Sequence, residues 1–267
     1  MIHKVIHLSE VFPQLGYNHC NPKLTIYLPD NMTEIGRHNQ KHPCLLICPG
    51  GGYGMVSQRE GEPIGFRFLT QGYNVFVLAR YSIGERARNF EPLCQLAATM
   101  AHVRAHADEW RIQKDKIAVC GFSAGGHLAL AGGIMAENKP DAMVLGYPAA
   151  SAPNMPGMNF MLQLLEGKKE VTAEDAAKYD LVSHITKDAP PVFIAATAQD
   201  LLTPHGALPI AQKYSQFGTN YELHIFQYGP HGYALANEVT ADGGMTYVVS
   251  RISGNILQIA EGGGHSH

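Results

Sequence analysis

A serine set between two glycines is the first candidate for chemistry in this chain. The segment Gly121-Phe122-Ser123-Ala124-Gly125 follows an apolar run at 116–120 and precedes an apolar, helix-compatible segment from Ala124 to Met135. A strand, a sharp turn carrying serine and a helix make a nucleophile elbow, whose turn pushes the hydroxyl clear of the backbone. The alternative is a glycine-rich turn with Ser123 near the N-cap of an ordinary helix, where serine is favoured. A nucleophilic role therefore depends on a base and a carboxylate elsewhere.

A carboxylate and a histidine follow two later runs of strand length. Asp200 is the only carboxylate between the run at 191–197 and the next predicted helix, and His231 lies between Pro and Gly after the run at 221–227. After an elbow serine the acid and then the histidine are expected, each in a loop at the C-terminal end of a strand. Asp200 could instead be a turn or capping residue. Its position favours the catalytic role.

The chemistry needs all three groups. A serine hydroxyl is a poor nucleophile at neutral pH unless an adjacent base takes its proton, and a neutral imidazole does so and returns the proton to the leaving alcohol. A carboxylate holds the imidazole in the required tautomer. His127, one turn beyond Ser123, is the alternative base. It precedes the acid and lies on a helix rather than in a loop, so we favour His231.

Three consecutive glycines, Gly50 to Gly52, follow the apolar run at 43–49. Each glycine costs backbone entropy, which makes such a run a poor choice for an ordinary turn. We expect the N–H groups of Gly51 and Gly52, with that of Ala124, to stabilise a tetrahedral oxyanion. One such donor contributes roughly 3–4 kcal/mol. A nucleotide phosphate loop is the rival interpretation, but neither Gly-Lys-Ser/Thr nor Gly-x-Gly-x-x-Gly spacing is present.

Alternating strand-like and helix-like segments must position these groups. The predicted strands lie near 3–8, 23–28, 43–49, 74–80, 116–121, 142–147, 191–197 and 221–227, and the predicted helices near 61–72, 89–109, 124–137, 204–217 and 245–261. Nearly continuous apolar runs fit strands covered on both faces, as in a parallel sheet. The alternation predicts one three-layer α/β domain of 267 residues, with about eight strands and an antiparallel N-terminal edge.

Residues 149–187 break the alternation, being rich in Pro, Met, Asn and Gly before a charged helical stretch. We interpret them as a small lid over the site, because long structureless loops in compact domains are usually functional. The alternative is a plain crossover helix with a long loop. We expect Tyr53, Met158 and Tyr233 to bind substrate, although the Met and Phe side chains of the lid could equally pack it onto the body. The tail from about 262 is expected to be disordered.

Composition excludes several classes of partner. The formal charge is −3, which gives no electrostatic case for nucleic acid or an anionic membrane. No apolar run is long enough for a membrane span, and residues 1–8 do not read as a signal peptide. Cys44, Cys48 and Cys120 lie in apolar runs and are expected to be reduced core cysteines. These features predict a cytoplasmic protein that needs no metal or cofactor. A homo-oligomer is compatible with the sequence.

Several motifs together resemble the α/β-hydrolase superfamily, and within it the small carboxylesterases of the acetyl-xylan-esterase-like and hormone-sensitive-lipase-like groups. The resemblance runs from about residue 25 to about residue 255, and its motifs lie at 49–53, 57–63, 72–78, 121–129 and 230–232. Pro49 stands where many relatives have His.

The resemblance implies an α/β-hydrolase fold with a catalytic triad of Ser123, Asp200 and His231. It also implies that Gly51, Gly52 and Ala124 supply the oxyanion donors. The implied activity is hydrolysis of short-chain esters, acetyl esters of small sugars among them, through an acyl-enzyme. An amidase or formamidase of small substrates is an alternative within the same fold, and a non-catalytic ligand-binding relative is an alternative outside enzymes.

Overall fold

The chain forms one mixed sheet whose strands run in the order β1-β2-β4-β3-β5-β6-β7-β8. The structure is a computed structural model that describes residues 1–13, 20–150, 158–200, 204–227 and 229–236. Its strands are β1 (Ile2–His7), β2 (Lys23–Leu28), β3 (His42–Cys48), β4 (Asn74–Arg80), β5 (Ile112–Phe122), β6 (Ala142–Gly146), β7 (Val192–Thr197) and β8 (Tyr221–Phe226). The predicted eight-stranded sheet is confirmed within these residues.

Strand directions divide the sheet into a parallel body and an antiparallel edge. β3 pairs in parallel with β4 and β5, and the parallel pairing continues through β6 and β7 to β8. β2 pairs antiparallel with both β1 and β4. The predicted antiparallel N-terminal edge is therefore confirmed. Because parallel strands all end at one edge of the sheet, the loops after β3, β5, β6, β7 and β8 meet there.

Helices cover the sheet and connect its strands. Those of the described residues are α1 (Leu8–Val11), α2 (Glu62–Leu69), α3 (Glu91–Ala105), α4 (Ala124–Met135), α5 (Met158–Glu166), α6 (Ala173–Lys178), α7 (Leu181–His184) and α8 (Pro204–Phe217). None of them combines the length and apolarity needed to cross a bilayer. The predicted helix at 245–261 and the tail from 262 lie outside the described residues.

Two hydrophobic cores lie on opposite faces of the sheet, because neighbouring side chains of a strand point to opposite faces. Leu46 of β3 packs into the larger core with residues of α3, α4 and α8, whereas Leu45 and Ile47 pack into the smaller core with α2. Both cores are fully buried at these positions. This arrangement is the three-layer architecture that the alternating segments predict.

The described part of the segment predicted as a lid contains the helices α5, α6 and α7, joined by short non-helical stretches. Met158, Met161 and Leu165 of α5 join the larger core, while Phe160 remains 55% exposed. Closure of this segment over the site stays a prediction. The three cysteines expected in the core are buried and free, and burial raises the pKa of each thiol.

Candidate active site

A hydrogen-bonded chain joins three side chains from distant parts of the sequence. The Nε2 atom of His231 lies 2.8 Å from Oγ of Ser123, and its Nδ1 atom lies 2.8 Å from Oδ2 of Asp200. Because a carboxylate oxygen accepts, Nδ1 carries the hydrogen and Nε2 is left to accept from the serine hydroxyl. Asp200 is buried, whereas the His231 ring is about a quarter exposed. The geometry is that of a nucleophile, a base and an orienting acid.

Ser123 lies in a strained turn between β5 and α4. Its φ of 54° and ψ of −120° are unusual for a residue with a Cβ, and such strain persists only where the surroundings enforce it. Its N–H donates to the Gly146 carbonyl at 3.0 Å, and its own carbonyl accepts from the Ala149 N–H at 3.1 Å. The end of β6 and the segment that follows it therefore hold the serine in place.

The two glycines of the Gly-x-Ser-x-Gly motif allow backbone segments to approach closely. A Cβ added at Gly121 would lie 2.0 Å from the Gly125 carbonyl oxygen. A Cβ added at Gly125 would lie 2.0 Å from the carbonyl oxygen of Cys48, at the end of β3. Both distances are far inside van der Waals contact. Glycine is therefore required at both positions for α4 to start against β3 and β5.

The loops that carry Asp200 and His231 are bonded to one another. The Thr197 hydroxyl, at the end of β7, donates to the Gly229 carbonyl at 2.6 Å, and the Gly229 N–H donates to Gln199 Oε1 at 3.4 Å. These bonds connect the segment before the acid with the segment before the histidine. These hydrogen bonds therefore help to hold the loops of Asp200 and His231 together.

The glycine run after β3 lies beside the serine. A Cβ added at Gly50 would lie 3.0 Å from the Ser123 Cβ, and the Gly50 N–H donates to Oε2 of Glu60 at 2.8 Å. Gly51 and Gly52 have φ of 123° and 64°, values that favour glycine. Among the described residues, the N–H groups of Gly51, Gly52 and Ala124 donate no hydrogen bond. These amides are available to an oxyanion, and that role stays a prediction.

His127, the alternative base, has both ring nitrogens engaged elsewhere. Its Nε2 lies 3.1 Å from the Tyr179 carbonyl oxygen and its Nδ1 lies 3.0 Å from the Tyr53 hydroxyl. Since a carbonyl only accepts, Nε2 carries the hydrogen and Nδ1 accepts from the Tyr53 O–H. Complete burial lowers the pKa of His127 to about 4, so the ring is neutral at physiological pH. No nitrogen of His127 remains for Ser123.

The three residues expected to bind substrate are buried in the structure, and their role in substrate binding stays a prediction. Tyr53 is 0% exposed because its side chain turns inward to His127, and Met158 is 2% exposed because it packs in the larger core. Tyr233 is 2% exposed, its ring 4.6 Å from that of Tyr147. For Met158 the packing alternative describes the observed environment.

Two polar residues at the site were missed by sequence reasoning. Glu60, in the turn before α2, accepts from the Gly50 N–H, and Tyr147, directly after β6, donates its hydroxyl to Oε1 of Glu60 at 2.7 Å. The Tyr147 ring lies edge-on to His231 with centroids 5.1 Å apart. One signal was available, because a polar residue directly after a parallel strand lies at the edge of the sheet where the site forms.

Known proteins of similar sequence and structure include several ester hydrolases. Residues 24–156 match the family model described as BD-FAE. The chain is 29% identical over 226 residues to an acetylxylan esterase of Xylanibacter ruminicola, in a match that covers 80% of this chain and 44% of that protein. It spans less than half of the length of the curated relatives it matches.

Many solved structures are similar to this chain, and two examples are similar over almost its whole length. An α/β hydrolase enzyme from a Medee basin deep-sea metagenome library is 30% identical, with a TM-score of 0.78 and coverage of 97% of this chain and 98% of that one. An acetyl ester-xyloside bifunctional hydrolase from Caldicellulosiruptor lactoaceticus is 26% identical, with a TM-score of 0.81 and coverage of 96% of both chains.

Proposed function

Because the chain belongs to the α/β-hydrolase superfamily, we propose that it is a serine carboxylesterase that hydrolyses short-chain esters, acetyl esters of small sugars among them. The observation that carries this proposal is the chain of 2.8 Å contacts from Ser123 through His231 to Asp200. The names of its relatives support ester chemistry, since one is an acetylxylan esterase and another an acetyl ester-xyloside hydrolase.

Acylation begins when Oγ of Ser123 attacks the ester carbonyl carbon while Nε2 of His231 takes the hydroxyl proton. The carbonyl oxygen becomes negative and faces the N–H groups proposed as its donors, those of Gly51, Gly52 and Ala124. The buried Asp200 carboxylate stabilises the imidazolium that forms. Collapse of the tetrahedral intermediate breaks the bond to the alcohol oxygen, which receives the proton from His231. The acyl group remains on Ser123.

Deacylation repeats these steps with water in place of the alcohol. His231 removes a proton from water as it attacks the acyl carbon, and the same amides face the second oxyanion. The intermediate then releases the carboxylic acid, and His231 returns the proton to Ser123. Every proton transfer uses Nε2, so the Nδ1 contact with Asp200 stays in place throughout the cycle. This scheme uses groups of the chain and water alone.

The test is turnover of 4-nitrophenyl esters from acetate to decanoate, with acetylated xylose beside them. Ser123→Ala is expected to lose at least about a thousandfold in kcat/KM while its thermal unfolding is unchanged. Ser183→Ala is the matched control, since Ser183 is an exposed serine on α7 whose hydroxyl donates to the Asp180 carbonyl. Full activity of folded Ser123→Ala would contradict the proposal.

Two further measurements separate the alternatives. Faster turnover of 4-nitroacetanilide than of 4-nitrophenyl acetate would indicate an amidase. A fluorophosphonate probe should label the wild-type protein at Ser123, because such probes react with an activated serine. Absence of labelling in well-folded protein would favour a non-catalytic ligand-binding protein.

A further inference from the structure

Glu60 is a buried carboxylate that no step of the proposed reaction uses. It is 3% exposed and lies in the turn Gln58–Glu60 that precedes α2. Its Oε2 accepts from the Gly50 N–H at 2.8 Å, and its Oε1 accepts from the Tyr147 hydroxyl at 2.7 Å. A buried charge is costly unless hydrogen bonds satisfy it, and here each oxygen has a donor. Both donors belong to segments that border Ser123.

Tyr147 connects this carboxylate with the loop that carries His231. Its side chain is completely buried, and its hydroxyl oxygen accepts from the Ala234 N–H at 3.0 Å. Its ring lies 5.1 Å from the His231 ring at an interplanar angle of 70°. Burial and the neighbouring Glu60 raise the pKa of Tyr147 well above its ordinary value, so the hydroxyl stays a donor. Tyr147 therefore contacts the histidine loop, residues 229–236, through both its ring and its hydroxyl.

The direction of every hydrogen bond in this connection is determined. The amides of Gly50 and Ala234 can only donate, and Tyr147 has one hydroxyl hydrogen. Because the Tyr147 oxygen accepts from Ala234, its hydrogen goes to Glu60, which must then accept at both oxygens. An ionised carboxylate does so. A glutamine would turn an NH₂ group toward one of the two donors and leave that donor without an acceptor.

We propose that Glu60 and Tyr147 are positioning residues that hold the oxyanion loop, residues 49–57, and the histidine loop in register with Ser123. This inference rests on the proposed esterase function. With its N–H held by Glu60, Gly50 orients the peptide that leads into the donors Gly51 and Gly52. Through Tyr147, the same carboxylate is connected to Ala234 of the histidine loop, whereas Thr197 holds Gly229 of that loop. A displacement of about 1 Å in such a site costs about a hundredfold in rate.

The test compares two Tyr–Glu hydrogen bonds of the same length. Tyr147→Phe and Glu60→Gln are expected to lower kcat for 4-nitrophenyl acetate by about tenfold or more, with KM within about threefold of wild type. The matched controls are Tyr27→Phe and Glu62→Gln, because the Tyr27 hydroxyl also donates to a glutamate at 2.7 Å but lies on β2. The controls should keep kcat within about twofold.

The double variant tests whether the two residues act as one unit. The hydroxyl hydrogen of Tyr147 has Glu60 as its acceptor. The double variant Glu60→Gln/Tyr147→Phe should therefore have about the same kcat as the less active of the two single variants. Losses that multiply would overturn the proposal, as would a folded Tyr147→Phe with wild-type kcat. If Glu60→Gln does not fold, Tyr147→Phe decides alone, because it keeps the ring that packs on His231.

Failure of this inference is distinguishable from failure of the proposed function. Wild-type protein with Ser123-dependent turnover and unaffected Tyr147 and Glu60 variants would overturn only the positioning role. Wild-type protein that neither hydrolyses any ester of the panel nor reacts with a fluorophosphonate would overturn both. The rate of fluorophosphonate labelling should fall about tenfold in Tyr147→Phe and not in Tyr27→Phe. This result would support the positioning role, because it measures the reactivity of Ser123 separately from binding of the ester substrate.

Discussion

Replacement of Asp200 by asparagine removes one negative charge from the site and almost no volume. The carboxylate oxygen lies 2.8 Å from Nδ1 of His231, which places the two charge centres roughly 4 Å apart when the ring is protonated. At that distance, opposite charges attract by about 4 kcal/mol at an effective dielectric constant of about 20. Loss of this stabilisation of the imidazolium corresponds to about a thousandfold in rate.

The asparagine also permits a second defect. If its NH₂ group faces Nδ1, the ring must carry its hydrogen on Nε2, and Nε2 can then no longer accept the Ser123 proton. In serine proteases the same change costs about 10⁴-fold. For Asp200→Asn we therefore expect kcat for 4-nitrophenyl acetate to fall by about 1,000- to 10,000-fold.

The assay is steady-state hydrolysis of 4-nitrophenyl acetate, with thermal unfolding measured on the same samples. Asp108→Asn is the matched control, because it removes a carboxylate that pairs with Lys41 and Lys114 at the exposed surface. The control should retain wild-type kcat. If the kcat of folded Asp200→Asn stayed within about tenfold of wild type, the carboxylate would not be the group that orients His231 and stabilises its protonated form.

Two predictions concern stability. Burial holds the pKa of His127 near 4, whereas the pKa of an unfolded histidine is about 6.5. Between these pH values the unfolded state therefore binds more protons than the folded state. About 3 kcal/mol of the free energy of unfolding should be lost as pH falls from about 6.5 to about 4. Urea unfolding at pH 7 and pH 4.5 should show a smaller loss for His127→Gln than for wild type, and equal losses would refute the assignment. Gly125→Ala should lower the free energy of unfolding by about 3 kcal/mol or more, since its Cβ would lie 2.0 Å from the Cys48 carbonyl oxygen; an unchanged urea midpoint would contradict the close packing at the elbow.

The central strands were predictable because most of them are short apolar runs with clear ends. β4 and β7 are buried almost along their whole length, and their sequences are continuous apolar segments. The start of β5 was not predictable from the same signal. Its residues 113–115 are polar and partly or fully exposed, yet Ile112 pairs with His42 of β3. A strand segment that is held by pairing with its neighbour rather than by burial cannot be recognised from the hydrophobicity of its sequence.

The contact between Ser123, His231 and Asp200 was predictable for a different reason, since these residues follow three predicted strands in a fixed order. The side-chain directions were not predictable. Tyr53 was expected to bind substrate, but nothing in the sequence indicated that its side chain, on a backbone with φ of 57°, would turn inward and donate to Nδ1 of His127. The Glu60–Tyr147 bond joins residues 87 positions apart. Sequence shows the residue types but not which carboxylate becomes buried against which hydroxyl.

The order of the strands has a consequence for how the protein acquires activity during folding. Ser123 follows β5 and His231 follows β8, with β6 and β7 between them in the sheet. The hydroxyl and the imidazole therefore meet only after the intervening crossovers have docked, and contacts of such high sequence separation form slowly. Recovery of the proposed esterase activity on refolding should thus lag behind recovery of helical circular dichroism, so turnover would report when the strands from β5 to β8 have all paired.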